Sequence, residues 1–190
     1  MNIKVALLYG STREGRLCDT VAQWALREIG KRTEFSVDVI DPAALGLPER
    51  HKRKDSAELV ALKQRIENAD CFVVVTPEYN HSYPAAIKFV IDSVHEPWHA
   101  KPVAFISYGG SSGGLRAVEH LRAVFAELHA VSIRDTVSFP NAWTQFDETG
   151  ELRQAGAAER SMTTMLERLK WWAIALRSAR EAMPYTKAAA

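Results

Sequence analysis

The sequence predicts an α/β fold with a parallel five-stranded sheet and helices on both faces. Three observations carry that expectation. Five apolar, β-rich runs alternate with five helix-like segments along the 190 residues. Two of the runs, VALLY at 5–9 and CFVVV at 71–75, show no polar alternation. Strands of that kind are buried on both faces, as in a parallel sheet. No repeat, low-complexity tract or long linker divides the chain, so residues 1–182 are expected to form a single domain, with 183–190 as a tail.

The elements follow in order. The run Ile3–Tyr9 opens the sheet, and a helix-like stretch from about Leu17 to Lys31 follows it. Phe35–Ile40 is the second strand, and about Ser56 to Asn68 the second helix. Cys71–Thr76 precedes a helix from about Tyr83 to Val94. Val103–Ser107 precedes one at Leu115–Leu128. Val131–Ser138 is the last strand. The final helix, from about Ala157 to Ala182, carries Met162, Met165, Leu166, Leu169, Trp172 and Leu176 as a stripe of helical period. Those side chains are expected in the core. Trp143, Trp171 and Trp172 are also suited to an interface between subunits.

Composition bounds the function. The chain is 47% hydrophobic and 25% charged, with a formal net charge of +1, which leaves no electrostatic footprint for nucleic acid. The apolar run near the N-terminus is too short for a signal peptide, and no segment could span a membrane. Cys18 and Cys71 stand far apart without a CxxC pattern, which suits a reducing cytoplasm better than a disulfide framework or a zinc ribbon.

In a doubly wound sheet, ligands bind beyond the carboxyl ends of the strands, where strand order reverses. Three stretches there are unusual. GSTREGR, Gly10 to Arg16, offers hydroxyls from Ser11 and Thr12 and guanidinium groups from Arg13 and Arg16, ahead of a helix N-terminus. That combination suits an anion, above all phosphate. It is neither a P-loop nor a dinucleotide fingerprint, because GK[ST] and GxGxxG are both missing. The same residues also suit a plain helix cap with solvated arginines. TPEYNHSYPAAIKFVID, 76–92, places Glu78, Tyr79, Asn80, His81 and Tyr83 in one short loop after Pro77. The N–H groups of Glu78, Tyr79 and Asn80 are expected to be free of the sheet and open to a flat polar heterocycle; an ordinary turn, with Asn80 and Ser82 capping the next helix, is the alternative. SYGGSSGG, Ser107 to Gly114, has four glycines in eight residues, which suits backbone lying close to a ligand or a flexible loop.

Two further patterns point elsewhere. HEPWH at 95–99 fits the zincin HExxH, but Pro97 disfavours the continuous helix that would put both histidines on one face, so no metal site is expected. PERHKRKDS at 48–56 is basic, and suits either a solvated loop or attraction of a ligand phosphate or a partner subunit. Cys18 near a helix start suits packing or, less directly, a reactive thiol.

The spacing of GSTR, PEYNHSYPAAIKFVID and SYGG resembles that of the NADPH-dependent FMN reductase family, which includes quinone, azo-dye and chromate reductases. The resemblance spans about residues 3 to 180, and PEYN-S-P-x-x-x-K is its most specific part. It implies a flavodoxin-like three-layer α/β/α fold with strand order 2-1-3-4-5. It implies FMN as cofactor, its phosphate held by the loop of Ser11, Thr12, Arg13 and Arg16 with Leu17 and Cys18 following. The loop of Pro77, Glu78, Tyr79 and Asn80 would meet the isoalloxazine edge, and Ser107, Tyr108, Gly109 and Gly110 would approach the ring from the other side. Where the family often has a small hydroxyl residue and an Asn, this chain has Arg16 and Cys18; after the lysine it has Phe89 in place of Asn. The implied activity is hydride transfer from NADPH or NADH to FMN, then two-electron reduction of a quinone or similar acceptor (azo dye, chromate, free flavin). The flavin carries that chemistry, so no catalytic side chain is required. A homodimer or homotetramer is implied as well. The competing readings are a flavodoxin-type electron carrier, which the two loop arginines and the absence of strong acidity disfavour, and a non-catalytic flavodoxin-fold binding protein.

Overall fold

The computed structural model describes residues 2–48, 50 and 56–185. Five parallel strands, β1 (Ile3–Tyr9), β2 (Phe35–Ile40), β3 (Cys71–Pro77), β4 (Pro102–Gly109) and β5 (Val131–Pro140), form one sheet in the order β2-β1-β3-β4-β5. Five helices alternate with them: α1 (Cys18–Gly30), α2 (Ala57–Asn68), α3 (Ala85–Asp92), α4 (Leu115–Glu127) and α5 (Ala155–Ala182). The order 2-1-3-4-5 and the five-helix alternation match the expected flavodoxin-like architecture.

The uniformly apolar runs behave as their lack of alternation requires. Val5–Tyr9 and all of β3 are buried, because helices cover both faces. On one face Val5, Leu7, Val73, Val75 and Ile106 pack with Val21, Ala25 and Ile29 of α1 and Met162, Leu166 and Leu169 of α5. On the other, Leu8, Val74 and Phe105 pack with Leu62 of α2, Ile87 and Ile91 of α3, and Leu121 and Phe125 of α4. Burial of a Leu, Ile or Phe contributes roughly 1.5–3 kcal/mol each. These two layers therefore make a rigid base that fixes where the strands end.

Local signals set the helix boundaries. Ser56 starts α2 with its hydroxyl accepting from the Leu59 N–H at 3.3 Å. The alternative of Asn80 and Ser82 capping α3 is not what forms; Pro84 precedes that helix, and Ser82 meets His120 Nδ1 at 2.9 Å. β5 is longer than its neighbours and slips in register against β4 between Val103 and Phe105, a bulge that adjusts the edge strand. Strand order reverses between β1 and β3, whose carboxyl ends lie beside that of β4.

Candidate functional site

Three loops meet beyond β1, β3 and β4. The first leaves β1 at Gly10, where a side chain cannot fit: a Cβ would lie 2.8 Å from both Thr76 Cα and the Val75 carbonyl oxygen. The Gly10 N–H donates to that carbonyl at 2.7 Å, so the loop starts pressed against the end of β3. Ser11 is buried, accepts from the Arg13 N–H at 3.3 Å, and shares a 2.8 Å hydrogen bond with the Tyr79 hydroxyl. The Arg13 guanidinium stacks 3.7 Å above the Tyr79 ring centre. First and second loops are thus locked together through Tyr79.

The first loop leaves several donors open. Among the described residues, the N–H groups of Thr12, Glu14, Gly15, Arg16 and Leu17 have no hydrogen-bond acceptor, and Arg13 has no carboxylate partner. Thr12 and Arg13 are exposed, and α1 begins immediately afterwards with its dipole directed at the same space. A phosphate would satisfy donors that the protein leaves open.

The two arginines have different tasks. Arg16 was expected to offer its guanidinium to the anion; in the structure that guanidinium is engaged by protein acceptors. It donates from Nη1 to Asp41 Oδ1 at 2.8 Å and from Nε to Asp19 Oδ1 at 2.9 Å, and it also holds the Ser11 carbonyl. Its hydrogen bond to Asp41 outweighs burial and raises the arginine's pKa, while the same bond pushes the Asp41 carboxyl down. Arg16 therefore shapes the loop from beneath, and only its backbone N–H remains available. Cys18 lies under the loop as well: it is fully buried with its thiol toward the Val75 carbonyl at 3.7 Å, and burial raises its pKa. That environment makes it an unreactive packing residue.

The second loop corrects another expectation. The Glu78 N–H donates to the Tyr108 carbonyl at 3.0 Å, and the Tyr79 N–H to the Ser82 carbonyl at 2.9 Å. Ser82 N–H returns a bond to the Tyr79 carbonyl at 3.1 Å, closing a tight turn over Asn80 (φ 49°) and His81 (φ 73°). Two consecutive left-handed residues are the mark of a hairpin turn, and Asn tolerates that region. Of the three amides expected to be open, only that of Asn80 remains so among the described residues.

The third loop is fixed rather than flexible. The Gly113 carbonyl accepts from the buried Ser107 hydroxyl at 2.8 Å and from Ser138 at 2.9 Å. Gly113 and Gly114 both have positive φ, 61° and 84°, and a Cβ on Gly114 would lie 2.8 Å from the Tyr108 nitrogen. The strict need for glycine thus falls on this pair rather than on Gly109 and Gly110, whose φ values are ordinary. Ser107 and Tyr108 are buried, and burial raises the Tyr108 pKa. Gly110 and Ser111 keep N–H groups without acceptors among the described residues.

Residues outside the expected set hold the loops. Glu78 binds the Ser112 hydroxyl at 2.8 Å, the Arg116 N–H at 3.2 Å and the Arg116 guanidinium. Burial pushes its pKa up, but these donors outweigh burial and hold it below the usual value. Asp41, Ser112 and Arg116 were not legible as site residues, because their partners are 25 to 38 positions away in sequence.

The zincin-like pattern separates from the site. HEPWH forms a 3₁₀ turn, Glu96–Trp98, in the connection from α3 to β4, with Pro97 in its first turn. The His95 and His99 rings meet edge to face at 5.2 Å, and Trp98 is buried in the core. Among the described residues no group of three or more His, Cys, Asp or Glu side chains is placed to hold a metal ion. Most of the basic run, residues 49 and 51–55, lies outside the described residues.

The fold is flavodoxin-like, with three loops and a set of open donors gathered at the strand-order reversal. Comparison with known proteins is specific: the sequence model of NADPH-dependent FMN reductases matches residues 3–144. An NAD(P)H-dependent FMN reductase of Schizosaccharomyces pombe is 37% identical over 128 residues, covering 58% of this chain and 60% of that protein's own length. An NAD(P)H:quinone oxidoreductase of Solanum tuberosum is 33% identical over 177 residues, covering 86% of this chain and 90% of its own. Among solved structures, the FerB NAD(P)H:(acceptor) oxidoreductase of Paracoccus denitrificans superposes with a TM-score of 0.68 at 23% identity, covering 90% of this chain and 97% of its own, which bears on the fold. The chain belongs to the NADPH-dependent FMN reductase family. It is an oxidoreductase of the flavoprotein class, with FMN as cofactor and NAD(P)H as reductant.

Proposed function

We propose that the chain takes hydride from NADPH or NADH onto FMN and passes two electrons to a quinone or a similar small acceptor. The observation that carries this reading is the set of open donors at the strand ends: the N–H groups of Thr12, Glu14, Gly15, Arg16 and Leu17 with the uncommitted Arg13 guanidinium. Bound there, FMN supplies the hydride-accepting ring and its two-electron chemistry. The protein's own part is to bind, orient and exclude water. Arg13 and the loop amides would hold the phosphate. The open N–H groups of Asn80, Gly110 and Ser111 would donate to the polar edge of the ring, where reduction places negative charge. Pro77, Tyr79 and Gly109 would form its walls. Leu17 would line the phosphate end, while Ser107, Tyr108, Glu78 and Cys18 would act from beneath by fixing the loops.

The wider reading is a single FMN-binding domain over residues 1–182, acting in the cytoplasm as a homodimer or homotetramer. Exposed Trp171 supports an interface between copies, and among the described residues no helix is long and apolar enough to cross a membrane. The relatives named for quinone reduction favour a quinone over other acceptors. The experiment is FMN titration of the purified protein, followed by NADPH and NADH oxidation with a panel of quinones, an azo dye and chromate. Tight FMN binding with turnover of a quinone is the expected result. FMN binding without turnover of any acceptor would favour the electron-carrier reading, and no FMN binding a non-catalytic protein.

A further inference from the structure

The indole of Trp143 stands at the rim of the candidate site on a support that gives it little freedom. After β5, Asn141 adopts a left-handed φ of 47°, and its N–H donates to the Gly110 carbonyl at 2.9 Å. The Thr144 N–H and hydroxyl both donate to the Asn141 carbonyl at 2.9 Å, and Gln145 Nε2 donates to the Pro140 carbonyl at 3.0 Å. Ala142, next to the tryptophan, is fully buried. The turn is therefore anchored on both sides, directly to the third loop. Yet its largest side chain is 65% exposed. The indole tip, Cη2, lies 3.9 Å from where a Cβ on Gly110 would stand. Gly110 is the tip of the loop that would approach the ring, and its neighbour Gly109 faces the Glu78 side chain of the second loop.

A large flat aromatic side chain held out by a braced turn at the site's rim offers a face on which a planar aromatic molecule can stack. The anion cradle lies at the other loop, Gly10 to Leu17, so the indole stands at the third-loop end of the site rather than at the phosphate end. We infer that Trp143 is a specificity-determining wall for the electron acceptor, selecting planar aromatic acceptors by stacking against them as they enter beside Gly110. This inference rests on the flavin-dependent reading above. A second copy of the chain covering the indole is the competing occupant, and the test below separates the two.

The measurements are made on parent, Trp143→Ala and Trp143→Phe as FMN-loaded proteins. FMN affinity is read by titration and molecular mass by light scattering. KM and kcat are read with 1,4-naphthoquinone, a planar acceptor, and with ferricyanide, which cannot stack. The expected result is a KM for naphthoquinone about three- to tenfold higher in the Ala variant, on the scale of an aromatic pair. The Phe variant should keep most of the parent's KM. Ferricyanide turnover, FMN affinity and mass should stay at the parent's values. An unchanged naphthoquinone KM would overturn the inference, as would an equal rise for both acceptors. Weakened FMN binding would assign the indole to the cofactor instead, and a changed mass would assign it to an interface. A parent that binds FMN and reduces quinone while the Ala variant matches it removes only the role of Trp143. A parent that binds no FMN removes the flavin reading and this inference with it.

Discussion

The Glu78 carboxylate, almost wholly buried at the end of β3, is bound by the Arg116 backbone and guanidinium at the start of α4. With Ser112 it ties the second loop to the third, so the two walls of the candidate flavin slot are not independent. Glu78→Ala removes three charge-assisted contacts from a buried site, each on a scale of about 1.5–3 kcal/mol. Part of that total is recovered, because Arg116 is itself 46% exposed and can return to water. A drop in melting temperature accompanied by weaker FMN binding is expected. Arg116→Ala should show both effects in milder form. Melting curves and FMN titration of the two variants check this, and a Glu78→Ala protein with the parent's FMN affinity would uncouple the clamp from the site.

The same pair sets an acid limit. The folded pKa of Glu78 is depressed, so its contribution is fully present above the unfolded value of about 4.3 and is lost as pH falls through the folded pKa. Asp41, held down by Arg16, acts in the same direction. Denaturant unfolding measured from pH 6 down to pH 3 should show a fall in stability below about pH 4.3 that is shallower in Glu78→Gln.

Arg13 and Arg16 should separate cleanly. Among the described residues the Arg13 guanidinium meets only the Tyr79 ring, so Arg13→Ala should leave the melting temperature nearly unchanged and weaken FMN about tenfold or more, the cost of one guanidinium–phosphate contact. Arg16→Ala takes the guanidinium away from Asp41, which keeps only the Ala43 N–H among the described residues, and from the Ser11 carbonyl, so it should lower the melting temperature first and FMN affinity only through the distorted loop. The reverse pattern would exchange their roles.

The fold was legible because its signals are local. The apolar runs at 5–9 and 71–75, the spacing of helices and the glycines after β4 each report on a few neighbouring residues, and all five strands and helices appear within a few positions of their expected bounds. The site was legible as three loops but not as a network. Nothing near Arg16 in sequence says that Asp41 will engage it, and nothing near Glu78 says that the Tyr108 carbonyl will take its amide. Such pairings depend on which side chains the folded loops bring together. That is also why glycine need shifted from 109–110 to 113–114: positive φ is set by how the loop must turn back under Ser138 and Tyr108, not by the presence of glycine alone.

His99 gives a pH effect away from the site. Burial, then the nearby His129 and His95, push its pKa down, with Glu96 opposing, and its Nε2 is buried without a partner among the described residues. The Tyr185 ring also packs against it, at 5.8 Å between centres. The unfolded chain binds this proton more readily than the folded one. Its contribution is therefore present above the unfolded value of about 6.5 and is lost as pH falls toward the folded pKa. Stability measured between pH 7.5 and pH 5 should decline in the parent and decline less in His99→Phe. Equal slopes would show that another group sets this dependence.

The last prediction uses the glycines as a ruler for how closely a ligand approaches. At Gly114 a Cβ would meet Ser107 Cβ and the Tyr108 nitrogen at 2.8 Å, with φ at 84°, so Gly114→Ala must displace backbone. A non-glycine residue forced into such a conformation costs about 1–3 kcal/mol before the clash is counted. The variant should be clearly destabilised whether or not FMN is present. Gly110 is the opposite case: φ is ordinary, and the nearest atom to a Cβ is Trp143 Cη2 at 3.9 Å. In the free protein, Gly110→Ala should be neutral or stabilising by about 0.4–1 kcal/mol through the unfolded state. Any loss of FMN affinity in that variant then measures contact between the ligand and the loop tip, since the protein itself has room for the methyl group. Melting temperatures of the apo-proteins, set beside FMN titrations of the same variants, separate the two causes. A stable Gly110→Ala protein with weakened FMN binding places the flavin against the third loop. A stable protein with the parent's affinity moves the flavin away from it and leaves the cradle at Arg13 and the turn at Asn80 to hold the cofactor.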